Sequence, residues 1–212
     1  MKPLVILGTR WLAEEMFDVI SEIPGWEVTA FVENQDRERC GQELEGRPVL
    51  WVDELAGLAG SHSAVCALST TERWRYTQQV EALGVPFATL VHPSARVSAR
   101  AELAPGSFVG PACIVSTRAR LGAHAFLNRG ATVGHHTRID DFVSLQPRTT
   151  VAGLVHVRRR TYVGACATII DRLKIGEGCV VGAGALVVRD LPDHVQALGV
   201  PARIVKTDID GK

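Results

Sequence analysis

The sequence predicts two architectures in one chain: an α/β domain built on a βαβ unit over residues 1–88, and a parallel β-helix of hexapeptide repeats over 89–192, with a C-terminal tail at 193–212. Three observations carry this reading. An aliphatic residue recurs at every sixth position from Val91 to Val187, a small or modest residue follows most of these four places later, and the preceding segment instead alternates short apolar runs with helical stretches.

Residues 4–7 form an apolar run ending at Gly8, Thr9 to Met16 reads as a helix, and Glu27 to Val32 as a second strand, which makes a βαβ unit. Further strands are expected at 48–52, 63–68 and 86–90, bracketing helical segments around 53–58 and 71–83, so a small parallel, Rossmann-like sheet is predicted. In such sheets ligands sit beyond the C-terminal strand ends, where helix N-terminal amides can hold a phosphate. The candidate substrate-binding residues are therefore Gly8, Thr9, Arg10 and Trp11 after the first strand, and Glu33 and Asn34 after the second. Of a GxGxxG fingerprint only Gly8 remains, so an ordinary strand-to-helix turn is the competing reading.

The hexad series begins Val91, Val97, Leu103, Val109 and ends Ile175, Val181, Val187; it has seventeen members, all Val, Leu or Ile. A helix repeats its apolar face about every 3.6 residues and a strand every two, so period six requires short strands joined by corners. The second inward position is held by residues such as Ala95, Ser107, Cys113, Ala119, Thr137 and Ala185. Three hexads per turn give a triangular solenoid of about five to six coils, its aliphatic residues stacked inside. Gly110, Gly122, Gly134, Gly164, Gly176 and Gly182 directly follow aliphatic positions, where a tight corner is expected to need a permissive backbone.

Composition narrows the function classes. Lys plus Arg and Asp plus Glu are both 23, so no global positive field exists to gather nucleic acid or an anionic membrane. No apolar run has the length of a signal peptide or a membrane span, so a cytoplasmic protein is expected. The five cysteines lack CxxC spacing and lie mostly in apolar runs, so they are expected to be reduced core residues.

The repeat, with endings such as Val180-Val181-Gly182-Ala183-Gly184-Ala185 and Gly199-Val200-Pro201-Ala202, resembles the hexapeptide-repeat acyltransferases, whose solenoid is a left-handed β-helix. Together with Phe31-Val32-Glu33-Asn34, Gly46-Arg47-Pro48-Val49 and Leu90-Val91-His92-Pro93-Ser94-Ala95, the chain is similar to the sugar acyltransferases that include bacterial N-acetyltransferases of nucleotide-linked 4-amino sugars and sialic acid O-acetyltransferases. The resemblance implies acetyl-CoA as co-substrate, no metal, a sugar or nucleotide-sugar acceptor, and a homotrimer with active sites between subunits.

Acyl transfer from a thioester needs a base for the acceptor's proton, donors facing the oxyanion and a groove for the pantetheine arm. Seven histidines compete for the base. The stretch from Val133 to Phe142 resembles the family's catalytic segment, which implies that His135 is the general base. Relatives usually carry an acid directly after that histidine, whereas this chain has His136; either Asp140 or Asp141 substitutes or the base has a lower pKa here, and His136 and Asp141 are the candidate orienting residues. The same correspondence places Ser144, Gly153, Ala165 and Ala183 along the coenzyme A groove, and Arg158-Arg159-Arg160 is either a phosphate contact or a solvated basic face. The rival readings are O-acetylation of a sialic acid or other sugar hydroxyl, a γ-type carbonic anhydrase using His124, His135, His136 and His156, and a non-catalytic scaffold.

Overall fold

The computed structural model describes residues 1–212, which divide into two units: Met1–Ser69 with Arg73–Pro93, and Thr70–Glu72 with Ser94–Lys212. In the first unit the elements run β1 (Lys2–Leu7), α1 (Trp11–Ser21), β2 (Trp26–Glu33), β3 (Glu43–Leu44), β4 (Arg47–Trp51), β5 (Ser63–Cys66), α2 (Arg73–Ala82) and β6 (Leu90–Val91). The sheet order is β3-β4-β2-β1-β5, with β1 parallel to both β2 and β5, and β4 parallel to β2. Leu4 to Leu7 are each fully buried, as a central parallel strand covered on both faces requires. Helix α1 buries Ala13, Met16 and Ile20, the three- and four-residue spacing of one helix face.

One expectation for this unit is corrected, one is refined, and one element went unread. Residues 86–90 are not a strand; Phe87 makes a single parallel bridge to Ala64, and the next strand begins at Leu90. The segment around 53–58 is a 3-10 helix over Val52–Leu58, opened by a 2.6 Å bond from the Trp51 amide to the Glu54 carboxylate. The antiparallel hairpin β3–β4 went unread, although its two-residue turn, Glu45-Gly46, has positive φ at both positions, 49° and 66°.

In the second unit, sixteen two-residue strands run from β7 (Arg96–Val97) to β22 (Leu186–Val187), followed by β23 (Gln196–Gly199) and β24 (Ala202–Lys206). Each hexad aliphatic is the second residue of its strand. From β7 to β19 each strand pairs in parallel with the one eighteen positions on, as Val115 does with Val133 and Leu127 with Leu145, so three hexads make one coil. The first face stacks β7, β10, β13, β16, β19 and β22, the second β8, β11, β14, β17 and β20, and the third β9, β12, β15, β18, β21 and β23, with β24 antiparallel at its edge. From Val109 to Val187 every hexad aliphatic is at most 2 % exposed, and Ser107, Cys113, Ala119, Ala125, Ala131 and Thr137 fill the second inward position.

The corners do not work as the glycines suggested. Positive φ falls three places after the aliphatic residue, at Ala112, Arg118, His124, His136, Phe142 and onward at the same spacing, mostly on non-glycine residues. Gly110, Gly122, Gly134, Gly164, Gly176 and Gly182 are not among the positive-φ residues. They are small because the next coil passes close: a Cβ on Gly164 would lie 2.5 Å from the Ala183 amide, and one on Gly122 2.6 Å from the Asp141 amide.

The last coil is two residues short, since Val181 pairs with Ala197, sixteen positions on. The solenoid therefore continues through Gln196–Gly199, and the expected boundary at 192/193 falls inside its final coil. Of the cysteines, Cys66, Cys113 and Cys179 are buried, and burial pushes the Cys66 and Cys113 thiols up to about 11, away from the reactive thiolate. Cys166 is exposed and Cys40 half-buried, so those two are not core residues; Cys166 stands at one of the positive-φ corners.

Candidate active site

His135 stands two places after the inward Val133, at the corner between the first and second faces, and its side chain is exposed. The corresponding position one coil on is Gly153, and a Cβ there would come within 2.6 Å of the His135 Nε2. Glycine at 153 thus creates the space the imidazole occupies. The Nδ1 of His135 faces the Nδ1 of His136 at 3.2 Å, with the two rings nearly perpendicular at 84°. One of these nitrogens must carry the proton and the other accept it, so the pair fixes complementary tautomers.

The two aspartates expected to replace the missing acid are occupied elsewhere in the chain. Asp140 accepts from Arg138 at 2.6 Å and pairs with His156 at 2.9 Å. Asp141 lies at the corner between the second and third faces, where its Oδ1 accepts from the Ala123 amide at 2.8 Å. A one-hexad step turns the chain through a corner of the triangle, so Asp141 cannot reach back to His135; His136 is its polar neighbour.

Ala165 and Ala183 do come together. They occupy the same corner of successive coils, between the third and first faces, and line a cleft of about 450 Å³ with Tyr162, Gly164, Gly182, Lys206 and Lys212. The Lys212 ammonium lies 4.4 Å from the centre of the Tyr162 ring. Ser144 is not in this cleft: it sits on the third face, paired in register with Phe126 and Tyr162, and is fully buried, so it is not an open hydroxyl for a cofactor. Gly153 belongs to the His135 corner rather than to this cleft. Arg158, Arg159 and Arg160 are held in ion pairs with Asp193, Glu177 and Asp210 at 2.8, 2.8 and 2.6 Å, which is neither of the two states expected for them.

In the first unit, Gly8 adopts φ +115°, and its amide reaches the Val32 carbonyl at 2.9 Å, which carries the chain from β1 into α1. Glu33, at the end of β2, is buried; it accepts from the Thr9 hydroxyl at 2.5 Å and from the Asn34 and Gln35 amides at 2.9 Å each. Burial alone would raise its pKa, but these hydrogen bonds outweigh it and hold the carboxyl below the usual range. Thr9 and Glu33 therefore brace each other, while Trp11, 87 % exposed, and Arg10 remain open to solvent. The Asn34 side chain bonds Gln79 at 3.2 Å.

The histidines raised for a metal do not converge. His124 stacks on Phe142 with ring centres 4.9 Å apart, His156 is on the second face with Asp140, and no group of three or more His, Cys, Asp or Glu is placed to hold an ion. Sequence reading missed the arginines around His136: Arg100 and Arg118 share its corner column, and Arg120 and Arg138 stand beside it on the second face. Their eighteen-residue spacing was the available signal, visible once the coil length is known.

No protein-family model matches the chain. It is similar to serine acetyltransferase from Salmonella typhimurium (strain LT2), 36% identical over 84 residues, covering 36% of this chain and 31% of that one. The match thus spans about a third of the length of that curated relative. Among solved structures, a histidine-to-asparagine variant of perosamine N-acetyltransferase from Caulobacter crescentus, in complex with CoA and GDP-perosamine, superposes with TM-score 0.89 at 30% identity over 96% of this chain and 97% of that chain. The acetyltransferase domain of PglB from Neisseria gonorrhoeae FA1090, in complex with acetyl coenzyme A, gives TM-score 0.88 at 25% identity over 96% and 99%. No helix of the chain is long and apolar enough to cross a membrane.

Proposed function

Because the chain belongs to the hexapeptide-repeat sugar acyltransferase family, we propose that it moves an acetyl group from acetyl-CoA to the amine of a nucleotide-linked amino sugar, with His135 as general base. The observation that carries this is the end-to-end likeness to perosamine N-acetyltransferase, solved with CoA and GDP-perosamine, combined with an exposed His135 seated on Gly153. His135 takes the proton as the amine nitrogen attacks the thioester carbonyl. The carbon–sulfur bond then breaks and coenzyme A leaves as thiolate, which recovers the proton. His136, through its Nδ1, holds the His135 ring in one tautomer, the orienting task an acid performs in relatives.

The cleft at Ala165 and Ala183 suits a pantetheine arm: Gly164, Ala165, Gly182 and Ala183 leave room along one wall, and Lys206 and Lys212 supply positive charge for phosphates. In one chain this cleft and His135 stand at different corners of the triangle, separated by the first face. A homotrimer in which the cleft corner of one copy meets the His135 corner of the next would unite them, which is the assembly we propose. On the first, Rossmann-like unit, Arg10 and the exposed Trp11 at the start of α1 are the residues open to a nucleotide, with Gly8, Thr9, Glu33 and Asn34 shaping the loop.

The test is an assay of thiol release from acetyl-CoA against GDP-, UDP- and dTDP-linked 4-amino sugars, with the amide identified by mass. His135→Ala is expected to lower kcat by at least about a hundredfold; an unchanged rate would remove His135 from the mechanism. The serine acetyltransferase likeness favours one alternative, transfer to a hydroxyl, and an ester product from a sugar lacking the amine would establish it.

A further inference from the structure

Beside His136 the solenoid surface carries a concentration of positive charge that neither the fold nor the base requires. A cleft of about 660 Å³ is lined by Arg100, Arg118, Arg120, Arg138 and His136, with Glu102 the one carboxylate among its lining residues. Parallel in-register stacking places Arg120 directly between Glu102 and Arg138 on adjacent strands, and like charges so placed repel. Two of the four arginines are compensated: Arg120 by Glu102 at 3.1 Å and Arg138 by Asp140 at 2.6 Å. Arg100 and Arg118 take part in no ion pair. They occupy one corner column on successive coils, Arg118 with φ 56°, so their backbones are about 4.8 Å apart by the spacing of paired strands.

That column is short. Going up it, the next residues are His136 and then Leu154, an exposed apolar side chain, so the basic track ends after three coils. Two free guanidiniums about one strand spacing apart, on a ladder about 10 Å long, match an anion with two adjacent charged groups. They do not match an extended polyanion, which needs a continuous track of cations. The chain as a whole balances 23 basic against 23 acidic residues, so this is local charge rather than a generally basic surface.

We propose that the cleft binds a diphosphate group, with Arg100 and Arg118 each holding one phosphate by charge-assisted hydrogen bonds, and His136 linking the occupied cleft to His135 through their 3.2 Å contact. The diphosphate comes either from a nucleotide-linked acceptor or from coenzyme A. That assignment of source rests on the acetyl-transfer reading, whereas the binding itself does not.

Titration calorimetry with inorganic pyrophosphate on the full chain tests the site. Saturable binding is expected, weakened at least about tenfold in Arg100→Gln/Arg118→Gln, whose exposed side chains leave the thermal midpoint in place. A control with the same charge change on the distant surface, Arg189→Gln/Arg203→Gln, is expected to bind as the native chain does. Absence of saturable binding, equal affinity in the cleft variant, or an equal loss in the control overturns the proposal. Displacement of pyrophosphate by a nucleoside diphosphate but not by coenzyme A assigns the cleft to the acceptor, and the reverse pattern assigns it to the donor; displacement by neither overturns it. Acetyl transfer to a phosphate-free amino sugar, measured on the same variant, separates failure of this site from failure of the acetyltransferase reading.

Discussion

At the scale of single residues, the histidine was readable and its seat was not. His135 follows a corner glycine in a recognisable stretch, but Gly153 lies eighteen positions away and shows its purpose only when the coils are stacked. Because φ at Gly153 is not positive, alanine is acceptable to the backbone there, and the three atoms nearest an added Cβ all belong to the imidazole. Gly153→Ala is therefore expected to displace His135 by a fraction of an ångström or more and to lower kcat by about ten- to a hundredfold while the thermal midpoint moves little. Equal losses in activity and stability would show that the glycine serves the fold instead. Glu33 gives the opposite case, a residue expected to touch substrate that the structure commits to the loop. Its folded pKa is depressed, so its contribution to stability is present above the unfolded carboxylate value and is lost as pH falls through the lower folded value. Glu33→Gln is expected to cost about 1.5–3 kcal/mol at neutral pH and to flatten the acid side of the stability–pH curve, as measured by urea unfolding across pH.

At the scale of elements, the solenoid was legible because its repeat is a direct record of its geometry: one inward aliphatic per face and three faces per coil leave period six in the sequence. The corners were misread because a glycine in a sequence does not say whether it supplies a backbone angle or empty space. The structure separates these. Gly164 supplies space, and Gly164→Ala would drive a methyl against the Ala183 amide, forcing two coils apart at an expected cost of about 1–3 kcal/mol. Arg148 bears the angle, with φ 59°. Relief of the left-handed conformation in Arg148→Gly is worth about 1–2 kcal/mol, offset by about 0.4–1 kcal/mol of added freedom in the unfolded chain. Chemical denaturation should thus find Arg148→Gly slightly stabilising and Gly164→Ala destabilising; the reverse order would mean that corner conformation, not coil clearance, governs where glycine is needed. The strand expected at 86–90 was over-read for a simpler reason: an apolar run reads alike whether it pairs along its length or at one residue, and only Phe87 bridges.

At the scale of the whole molecule, a triangular solenoid has three corners, and the two to which the proposed reaction is assigned are different ones: His135 between the first and second faces, the Ala165–Ala183 cleft between the third and first. The family resemblance named His135, Ala165 and Ala183 but not this separation, since hexad register gives the inward positions and leaves the corner count implicit. Contact between unlike corners is heterologous, so it continues from copy to copy until it closes, and in the proposed assembly it closes with three copies. Sedimentation is expected to give a species of three times 22.9 kDa. Subunit mixing gives the sharper test. A chain with His135→Ala keeps its cleft, and a chain with Ala183→Trp keeps its base; each alone is expected to be inactive. Refolded together in equal amounts, they form interfaces in which base and cleft come from independent chains, so about one interface in four pairs a working base with a working cleft. Recovery of about a quarter of native activity is therefore expected. No recovery on mixing would mean that both groups act within one chain, and the shared-site reading would be lost even if the trimer stood.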